Sequence, residues 1–418
     1  MHLRFVTAGE SHGKALVVVV EGLPAGLPVT AEWVDRDLAR RMQGYGRGAR
    51  MKIERDHIEW VSGVRAGETL GSPIAMLIHN RDWANWEEIM AAEGTPGELR
   101  RRRVTRPRPG HVDLSGVLKY DRVDARDVLE RASARETAAR VAAGALARRL
   151  LDEFGVEIGS HVVSMGGIPV GRPAELPAPL NDAADRSQVR VLDPAAEAEI
   201  IRRIDRARKE GDTLGGEVEV VARGVVTGLG SHVSWDRKLD GRLAGMLMSI
   251  PAVKAVEIGM GFEGARRPGS EVHDPIDAQP AGRSDGQTVG APPVQGDRRA
   301  GFRRRTNNAG GLEAGITTGE PLLVRVGMKP IATLMSPLQT VDLASGGPAP
   351  AQSERSDVTA VPALGVIAEA VVAIVLADAM LEKFGGDSLG EMRRNYDGYL
   401  AALGSRWNAL RAGDAETG

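Results

Sequence analysis

Between Pro362 and Leu381 the chain carries its most apolar run, PALGVIAEAVVAIVLADAML, interrupted only by Glu369 and Asp378. A helix of this length could cross a bilayer, but each carboxylate at the bilayer centre would then cost about 2.5–3.5 kcal/mol. The run therefore reads as a buried core helix. Extended to Phe384 it is apolar on nearly all sides, and a helix of that kind needs packed layers covering it all round.

A second pattern indicates what covers it. GEVEVVARGVVTGLG, from Gly216, repeats the outline of KALVVVVEGLPAGLP, from Lys14: a strand, a glycine, then a Gly-Leu turn. Trp33 and Trp235 follow those turns at equal distances, and TLGSPIA at Thr69 matches TTGEPLL at Thr317. LLDEFG, ending at Gly155, parallels MLEKFG, ending at Gly385, while Met51–Glu54 and Val253–Glu257 match loosely. Several matches in one order favour internal duplication over chance among common strand-turn patterns. Each half reads strand, helix, strand, strand, loop, helix, which is not the βαβα alternation of a doubly wound sheet. The expected fold class is α+β: two antiparallel sheets enclosing a layer of long helices, with a pseudo-twofold internal duplication. The halves cover about 1–155 and 213–386 of a single domain, 1–388, followed by a C-terminal helix and tail, 389–418.

Local signals fill in the elements. Ala15–Glu21 and Pro73–Ile78 read as strands, as does the segment near Met51–Glu54. Val34, Leu38 and Met42 mark a helix opened by Thr30, and Ile200, Ile201, Ile204 and Ala207 mark another over Ala195–Lys209. Asn80–Arg108 reads as a long loop. Ser133 and Glu136 form an S-x-x-E capping box for a helix running over Ala134–Phe154, with Gly155 as its stop. Arg266–Asn307 has glycine, proline and charge with few large apolar residues, so a poorly ordered loop is expected, and the tail from Arg411 is expected to be disordered.

Charge and composition then narrow the function. Lys+Arg 54 against Asp+Glu 56 gives a formal charge of −2, so no global field draws in nucleic acid or membrane. The arginines are nevertheless clustered, at Arg36–Arg50, Arg100–Arg103 and Arg303–Arg305, which suggests local anion sites as well as solvated faces. An RNA-binding protein using those clusters is the rival reading, but aromatic residues make up only 4% of the chain and supply few stacking platforms. Zero cysteines exclude disulfides and thiolate ligands, and MHLRFVTAGE lacks a signal-peptide pattern, so a soluble cytoplasmic protein is expected.

Candidate chemistry gathers in a few loops. Arg106-Pro107-Arg108-Pro109-Gly110-His111 is a stiff basic loop feeding the positive end of the capped helix, a combination suited to a small, strongly anionic ligand. AGESHGKA, from Ala8, nearly matches a phosphate-binding loop, but Ala15 offers no hydroxyl and a strand follows where a helix is needed. GYGRGA has the wrong spacing for a dinucleotide fingerprint. The eight histidines show no metal-ligand spacing. His12 and His111 differ from the rest in sitting beside glycines in polar loops, where packing alone does not call for imidazole. With an unperturbed pKa of about 6.5 either could give a proton to a leaving anion. Asp357, just before the second central helix, is a candidate base or an ordinary turn residue, and Lys329 a cation on a stiff turn or simply an exposed turn lysine.

Taken in order, GESHG, YGRGARM, RPGH, RASARETA, AGGLEAGITTGEPL, MKPI and ERSDVTAVPA resemble the chorismate synthase family from Met1 to about Ser388. The resemblance implies conversion of 5-enolpyruvylshikimate 3-phosphate to chorismate and phosphate by an anti-1,4-elimination. It also implies a need for reduced FMN (FMNH2), a β-α-β sandwich of pseudo-symmetric halves, and a homotetramer. By position, His12 is similar to the family's donor to the departing phosphate, His111 to the donor near flavin N1, and Asp357 to the aspartate that acts with flavin N5 on the ring proton. Ser11 and Ser133 are similar to serines that orient these groups. Flavin contacts would fall on Arg131, Ala132, Ser133, Pro251, Ala252, Ala314, Lys329, Pro330, Ile331, Ala332, Thr333 and Arg355. Arg41 and Arg47 match positions assigned to NADPH, a candidate reductant. A substrate with two carboxylates and a phosphate calls for fixed guanidinium groups, for which Arg41, Arg47, Arg50, Arg108 and Arg135 are the candidates. The chain departs from the pattern at Ala314, where many members have glycine, and at Arg131-Ala132-Ser133, which replaces Arg-Ser-Ser. Its Arg266–Asn307 loop also looks longer than usual.

Overall fold

The computed structural model describes residues 2–48, 55–94, 102–278, 298–299, 301–353 and 357–413, with side chains as far as 403. The expected strand at Met51–Glu54 lies outside the described residues. The apolar run forms a helix over Val361–Phe384. It is long and apolar enough to cross a membrane, yet its apolar window is wholly buried inside the protein.

Two antiparallel sheets flank the helices. One has the order Arg4–Ala8, Ala15–Glu21, Ile74–His79, Ile58–Ser62. The other has the order Val253–Ile258, Leu322–Met328, Gly216–Arg223, Glu157–Met165, Ile168–Pro169. The helix Thr137–Glu153 packs on the first sheet, through Arg4–Ala8 and Ala15–Glu21. Val361–Phe384 packs on the second, through Gly216–Arg223 and Glu157–Met165, and the two helices pack on each other. Ala31–Met42 packs on both central helices and Leu239–Met248 on Val361–Phe384. Alternation puts Leu16, Val18 and Val20 inside on one sheet, and Val324 and Val326 inside on the other, as a period of two requires.

The helix pair crosses where Gly144 meets Ala370. A Cβ on Gly144 would lie 2.4 Å from that of Ala370, so only glycine permits this approach. The two helices run the same way. Arg41 feels the charges of both Arg135 and Asp357, which precede them, while Phe154 and Phe384 at their far ends both pack edge-on against Tyr396, at 5.0 and 5.1 Å.

Glu369 lies in the middle of the apolar helix with 0% exposure. Its carboxylate accepts from Arg40 (2.9 and 3.1 Å), Arg148 (2.7 Å), Arg190 (3.0 Å), Ser160 (2.6 Å) and Asn181 (3.1 Å). Burial alone would push this carboxyl up, but the three guanidinium groups outweigh it and hold it well below the usual carboxylate range. Asp378, two turns on, takes the Leu3 N–H at 2.7 Å and pairs with Arg242.

Several local expectations change. Ser133 does cap, accepting the Arg135 N–H, but Glu136 does not close the box. Its carboxylate is taken by Thr7 and Arg140 instead, and a 3₁₀ turn precedes the helix proper. The stretch between the basic loop and Ser133 holds two short helices, Asp113–Lys119 and Arg126–Leu129. The ends of the Arg266–Asn307 loop are ordered, because Ile276–Ala278 pairs with Phe302–Arg304 and Asp274 accepts from Thr306, Asn308 and Ala309. The last helix, Leu389–Gly413, continues past Arg411. Its Met392, Tyr396 and Leu400 recur at helical spacing and are buried against the core.

Glu369→Gln keeps the size of the side chain and removes its charge, leaving Arg40, Arg148 and Arg190 with only Asp37 and Asp185 as counter-ions among the described residues. The expected loss of stability in urea denaturation is about 3–5 kcal/mol. A loss under about 1 kcal/mol would show that the cluster does not need the carboxylate.

Candidate active site

The loop Gly9–Lys14, between the first two strands, carries Ser11 and His12. Gly9 must be glycine: its φ is +100° and a Cβ would strike the Ala15 carbonyl oxygen at 2.3 Å. Asn80 holds the loop from one side, donating to the carbonyls of Glu10 (3.1 Å) and Gly13 (2.7 Å). From the other side the Ser11 N–H donates to the Glu130 carbonyl at 3.0 Å, and the Ser133 hydroxyl donates to that of Ser11 at 3.2 Å. Arg131 reaches back to the carbonyls of Thr7 and Gly9. Ala132 lies between these anchors, its N–H donated to Val128.

Behind the loop lies a dry arginine cluster. Arg135 donates to Asp56 at 2.6 and 2.7 Å and to Asn80 at 2.9 Å. Arg41 donates to Thr137 at 3.0 Å and to the Ala134 carbonyl at 2.9 Å, and its remaining Nη1 stands 3.8 Å from Asp56. Burial pushes the Arg41 guanidinium down to about 9, opposed by Asp56 and reinforced by Arg47 and Arg135, so it stays charged at neutral pH. Arg41 Nη1 and Arg135 Nη2 are buried with no hydrogen-bond partner among the described residues. Cationic donors in excess, two of them unsatisfied, are what a polyanion requires.

Arg47 Nε lies 3.1 Å from Asp357, whose carboxylate also takes the Gly48 N–H at 2.6 Å. Arg47, Asp357, Arg208, Thr213, Thr333 and Met335 are among the residues lining a cavity of about 250 Å³, and neither His12 nor His111 lines it. That is less than the ~300–1,000 Å³ of sites that enclose a drug-sized ligand.

Thr333 joins this cavity to the basic loop. Arg108 donates to Thr333 at 2.9 Å and to Asp113 at 2.8 and 3.0 Å. His111 Nδ1 stands 2.5 Å from Asp113. Burial raises the Asp113 carboxyl, but hydrogen bonds from His111 and Arg108 outweigh it and hold Asp113 well below the usual carboxylate range. Lys329 donates to the Gly110 carbonyl at 2.8 Å, and burial, with Lys254 nearby, lowers its pKa. Its backbone N–H meets the Ala252 carbonyl at 2.9 Å, and the Ile331 carbonyl accepts from Thr213. Lys329, Ala332 and Thr333 thus reach the basic loop at Gly110 and Arg108, next to His111, with Pro330 and Ile331 in the same turn and Pro251-Ala252 joined to it through the Lys329 N–H.

Ala314 stands apart from it. It occupies the turn between Leu312–Glu313 and Ile316–Thr317 with φ +50°, a conformation that favours glycine. The Leu239 N–H donates to the Gly315 carbonyl, so this turn sits at the start of the helix Leu239–Met248, whose far end leads to Ala252. Ten residues of helix separate the two by about 15 Å. Arg50 and Arg355 lie outside the described residues. Among the described residues there is no group of three or more potential metal ligands.

Apart from Asp357, the site's carboxylates do not stand out in the sequence. Glu130 engages His12 through two contacts with ring Nδ1, at 2.9 and 3.1 Å, and one with the backbone N–H at 3.0 Å. Burial raises its pKa, and His12 together with Arg126 brings it below the ordinary value. Trp86 stacks on His12 at 4.1 Å between ring centroids. The available signals were Asp113 two residues after His111, and the i,i+4 spacing of Arg126 and Glu130.

The donor set fits an anionic flavin as well as an anionic substrate: Arg131, Ser133, Lys329 and Thr333 are cations or hydroxyls beside the two histidines. Known proteins point the same way. The family model described as "Chorismate synthase" matches residues 3–381. A chorismate synthase of Trichlorobacter lovleyi is 56% identical over 402 residues, covering 96% of this chain and 99% of that one. That of Symbiobacterium thermophilum is 55% identical over 410 residues, covering 97% and 100%. A crystal structure of chorismate synthase superposes with a TM-score of 0.75 at 41% identity, covering 97% of this chain and 99% of the other.

Asp113 and Glu130 both titrate lower folded than unfolded, where carboxyls ionise near ~4. Their contribution to stability is therefore full above about pH 5 and is lost as the pH falls through 4 and below. Asp113→Asn should destabilise the protein by roughly 1.5–3 kcal/mol at pH 7, as expected for a lost charge-assisted hydrogen bond. The gap from wild type should begin to narrow as the pH falls below about 4 and go on narrowing in stronger acid. A gap constant with pH, followed by urea midpoints, would show that the ionised form is not what matters.

Proposed function

The chain belongs to the chorismate synthase family, and from that premise we propose how its residues divide the reaction. The activity is a lyase step of the shikimate pathway: 5-enolpyruvylshikimate 3-phosphate loses phosphate by anti-1,4-elimination and becomes chorismate. One observation carries the division of roles: Arg41, Arg47, Arg135 and Asp357 form a single electrostatic neighbourhood linking the His12 loop to the cavity beside Arg108 and His111.

The substrate's carboxylates and phosphate are held by Arg47 and Arg108, with Arg135 behind them and Arg50 a further candidate. Arg41, at 4% exposure, acts from beneath by fixing Ala134 and Thr137 and adding positive potential. The helices beginning at Thr137 and Val361 both turn their positive ends toward this region, which adds to the field on an anion. His12 gives its proton to the departing phosphate, with Ser11 and Ser133 steadying the loop. Asp357, oriented by Gly48 and Arg47, is the base for the ring proton.

Reduced FMN, when bound, lends electron density to the breaking C–O bond and recovers it, which accounts for a redox cofactor in a reaction without net redox change. Arg131, Ala132, Ser133, Pro251, Ala252 and Lys329–Thr333 would hold it, with Arg355 a further candidate. His111, with Nδ1 committed to Asp113, would hold a proton at the flavin's N1 edge through Nε2. Ala314, distant from these groups, would serve a flavin only from another part of the assembly. That placement favours the family's homotetramer, as do the exposed Leu114, Leu118, Tyr120 and Val123 around the Asp113–Lys119 helix. NADPH remains a candidate reductant, with Arg47 the more accessible of its two candidate contacts.

We further infer the internal duplication and the β-α-β sandwich. With Arg4–Ala8 set aside as an extra edge strand of the first half, the two sheets share one order: Ala15–Glu21, Ile74–His79, Ile58–Ser62 against Gly216–Arg223, Leu322–Met328, Val253–Ile258. One domain over 1–388, closed by the last helix, fits this arrangement. A cytoplasmic location fits the absence of cysteine. The RNA-binding alternative has no support.

In an anaerobic assay with dithionite-reduced FMN, His12→Ala and His111→Ala should each lower turnover by roughly 10²–10⁴-fold while FMN binding persists. Near wild-type turnover in either variant would remove that histidine from the chemistry. Arg47→Ala should weaken substrate binding at least tenfold. Unchanged affinity for both substrate and NADPH would refute its placement.

A further inference from the structure

The contacts around His12 give a role to Glu130 and Trp86, neither of which takes part in the steps assigned so far. Three segments distant in sequence meet at the His12 ring: the Gly9–Lys14 loop, the end of the helix Arg126–Leu129, and the turn after Arg81–Asn85. Glu130, at 2% exposure, holds both the backbone N–H of His12 and its ring Nδ1. Arg126 donates to the same carboxylate at 2.8 Å, which fixes it in place. On another side the Trp86 indole stacks on the imidazole at an interplanar angle of 28°. Trp86 is itself anchored, its Nε1–H donated to Asp82 at 3.0 Å, with the guanidinium groups of Arg102 and Arg126 each 4.9 Å from its ring.

We propose that Glu130 is the positioning residue for His12, fixing its ring angle and placing the Nδ1 proton, with Trp86 as the wall against which the ring is held. This rests on the reading of His12 as donor to the leaving phosphate. An imidazole able to rotate about χ2 presents either nitrogen to a ligand. A carboxylate that cannot donate accepts only from a protonated Nδ1, so the ring is held with a proton there and hands over the one on Nε2. The backbone contact adds a second constraint, since the carboxylate that orients the ring also fixes the residue bearing it. Glu130 does not touch substrate in this scheme. Its effect is on the fraction of time the donor is aligned, which alters turnover and not substrate binding.

The test is a mutant cycle with Glu130→Gln and His12→Ala, read as kcat and KM under anaerobic conditions with reduced FMN. Glutamine keeps the size of the side chain and an acceptor for Arg126, but its amide nitrogen can also turn toward the ring. Glu130→Gln alone should lower kcat at least tenfold with KM within about twofold of wild type. In the His12→Ala background the same change should alter kcat by less than twofold, because there is no longer a ring to position. An equal fall in both backgrounds would mean that Glu130 acts through general structure and would overturn the proposal. So would wild-type turnover in Glu130→Gln beside a slow His12→Ala. Wild-type turnover in His12→Ala is a different failure, since it would refute the reading of His12 itself. A measurement on the unaltered sequence guards against a misfolded variant. In ¹⁵N-histidine-labelled wild type, the signals missing from His12→Ala should show a protonated Nδ1, and a neutral ring protonated only at Nε2 would overturn the proposal.

Discussion

An ionised carboxylate in the middle of an apolar helix is the constraint on which the rest of this structure depends. Glu369 cannot reach water, and three guanidinium groups reach it. They come from three different places: Arg40 from the helix after the first turn, Arg148 from the partner helix, and Arg190 from the segment joining the halves. They must arrive in register or the Glu369 carboxylate is left buried and under-compensated, at a cost of several kcal/mol, while Asp37 and Asp185 tie the same arginines together from the other side. Apolar packing by itself would tolerate small slides between these elements. The ionic cluster does not, and it thereby fixes how the two sheets sit on their shared helices.

The proposed active site applies the same rule with the opposite balance. Asp56, Asp113 and Glu130 are buried carboxylates that hold arginines and histidines in fixed directions, while the total charge is left positive. Arg41 and Arg135 keep buried N–H groups that have no partner among the described residues. A site built this way is oriented for an anion before the anion arrives, so little reorganisation remains for the reaction itself. Two helix N-termini pointing the same way strengthen the effect, and they do so because the central helices are parallel.

The sequence revealed the elements whose pattern is local and periodic. The apolar run, the Thr30 start, the amphipathic helix before Gly211 and the strands around Val18 and Val324 all follow from spacing alone. The cationic half of the site was legible for a similar reason, since arginines beside prolines and histidines beside glycines stand out in a short window. Their carboxylate partners did not stand out. Asp56 meets Arg135, and Glu130 meets His12, across many residues of chain, and an isolated Glu or Asp reads as ordinary surface. The capping box failed in the same way, because Thr7 and Arg140 compete for Glu136 and only one of them is near it in sequence. The ends of the long charged loop were misjudged since their order comes from one short strand pair and one aspartate, neither of which has a signature of its own.

The contact between Gly144 and Ala370 has a reach beyond packing. From that point it is seven residues back to Thr137 and nine back to Val361, roughly 10 and 13 Å of rigid rod leading to Ser133 on one side and Asp357 on the other. The pair works like a hinge pin with two arms. A single added methyl at the pin, out of sight of any ligand, would force the two helices apart at their crossing, so the smallest residue of the core helps to hold the spacing of the two loops proposed to carry the chemistry.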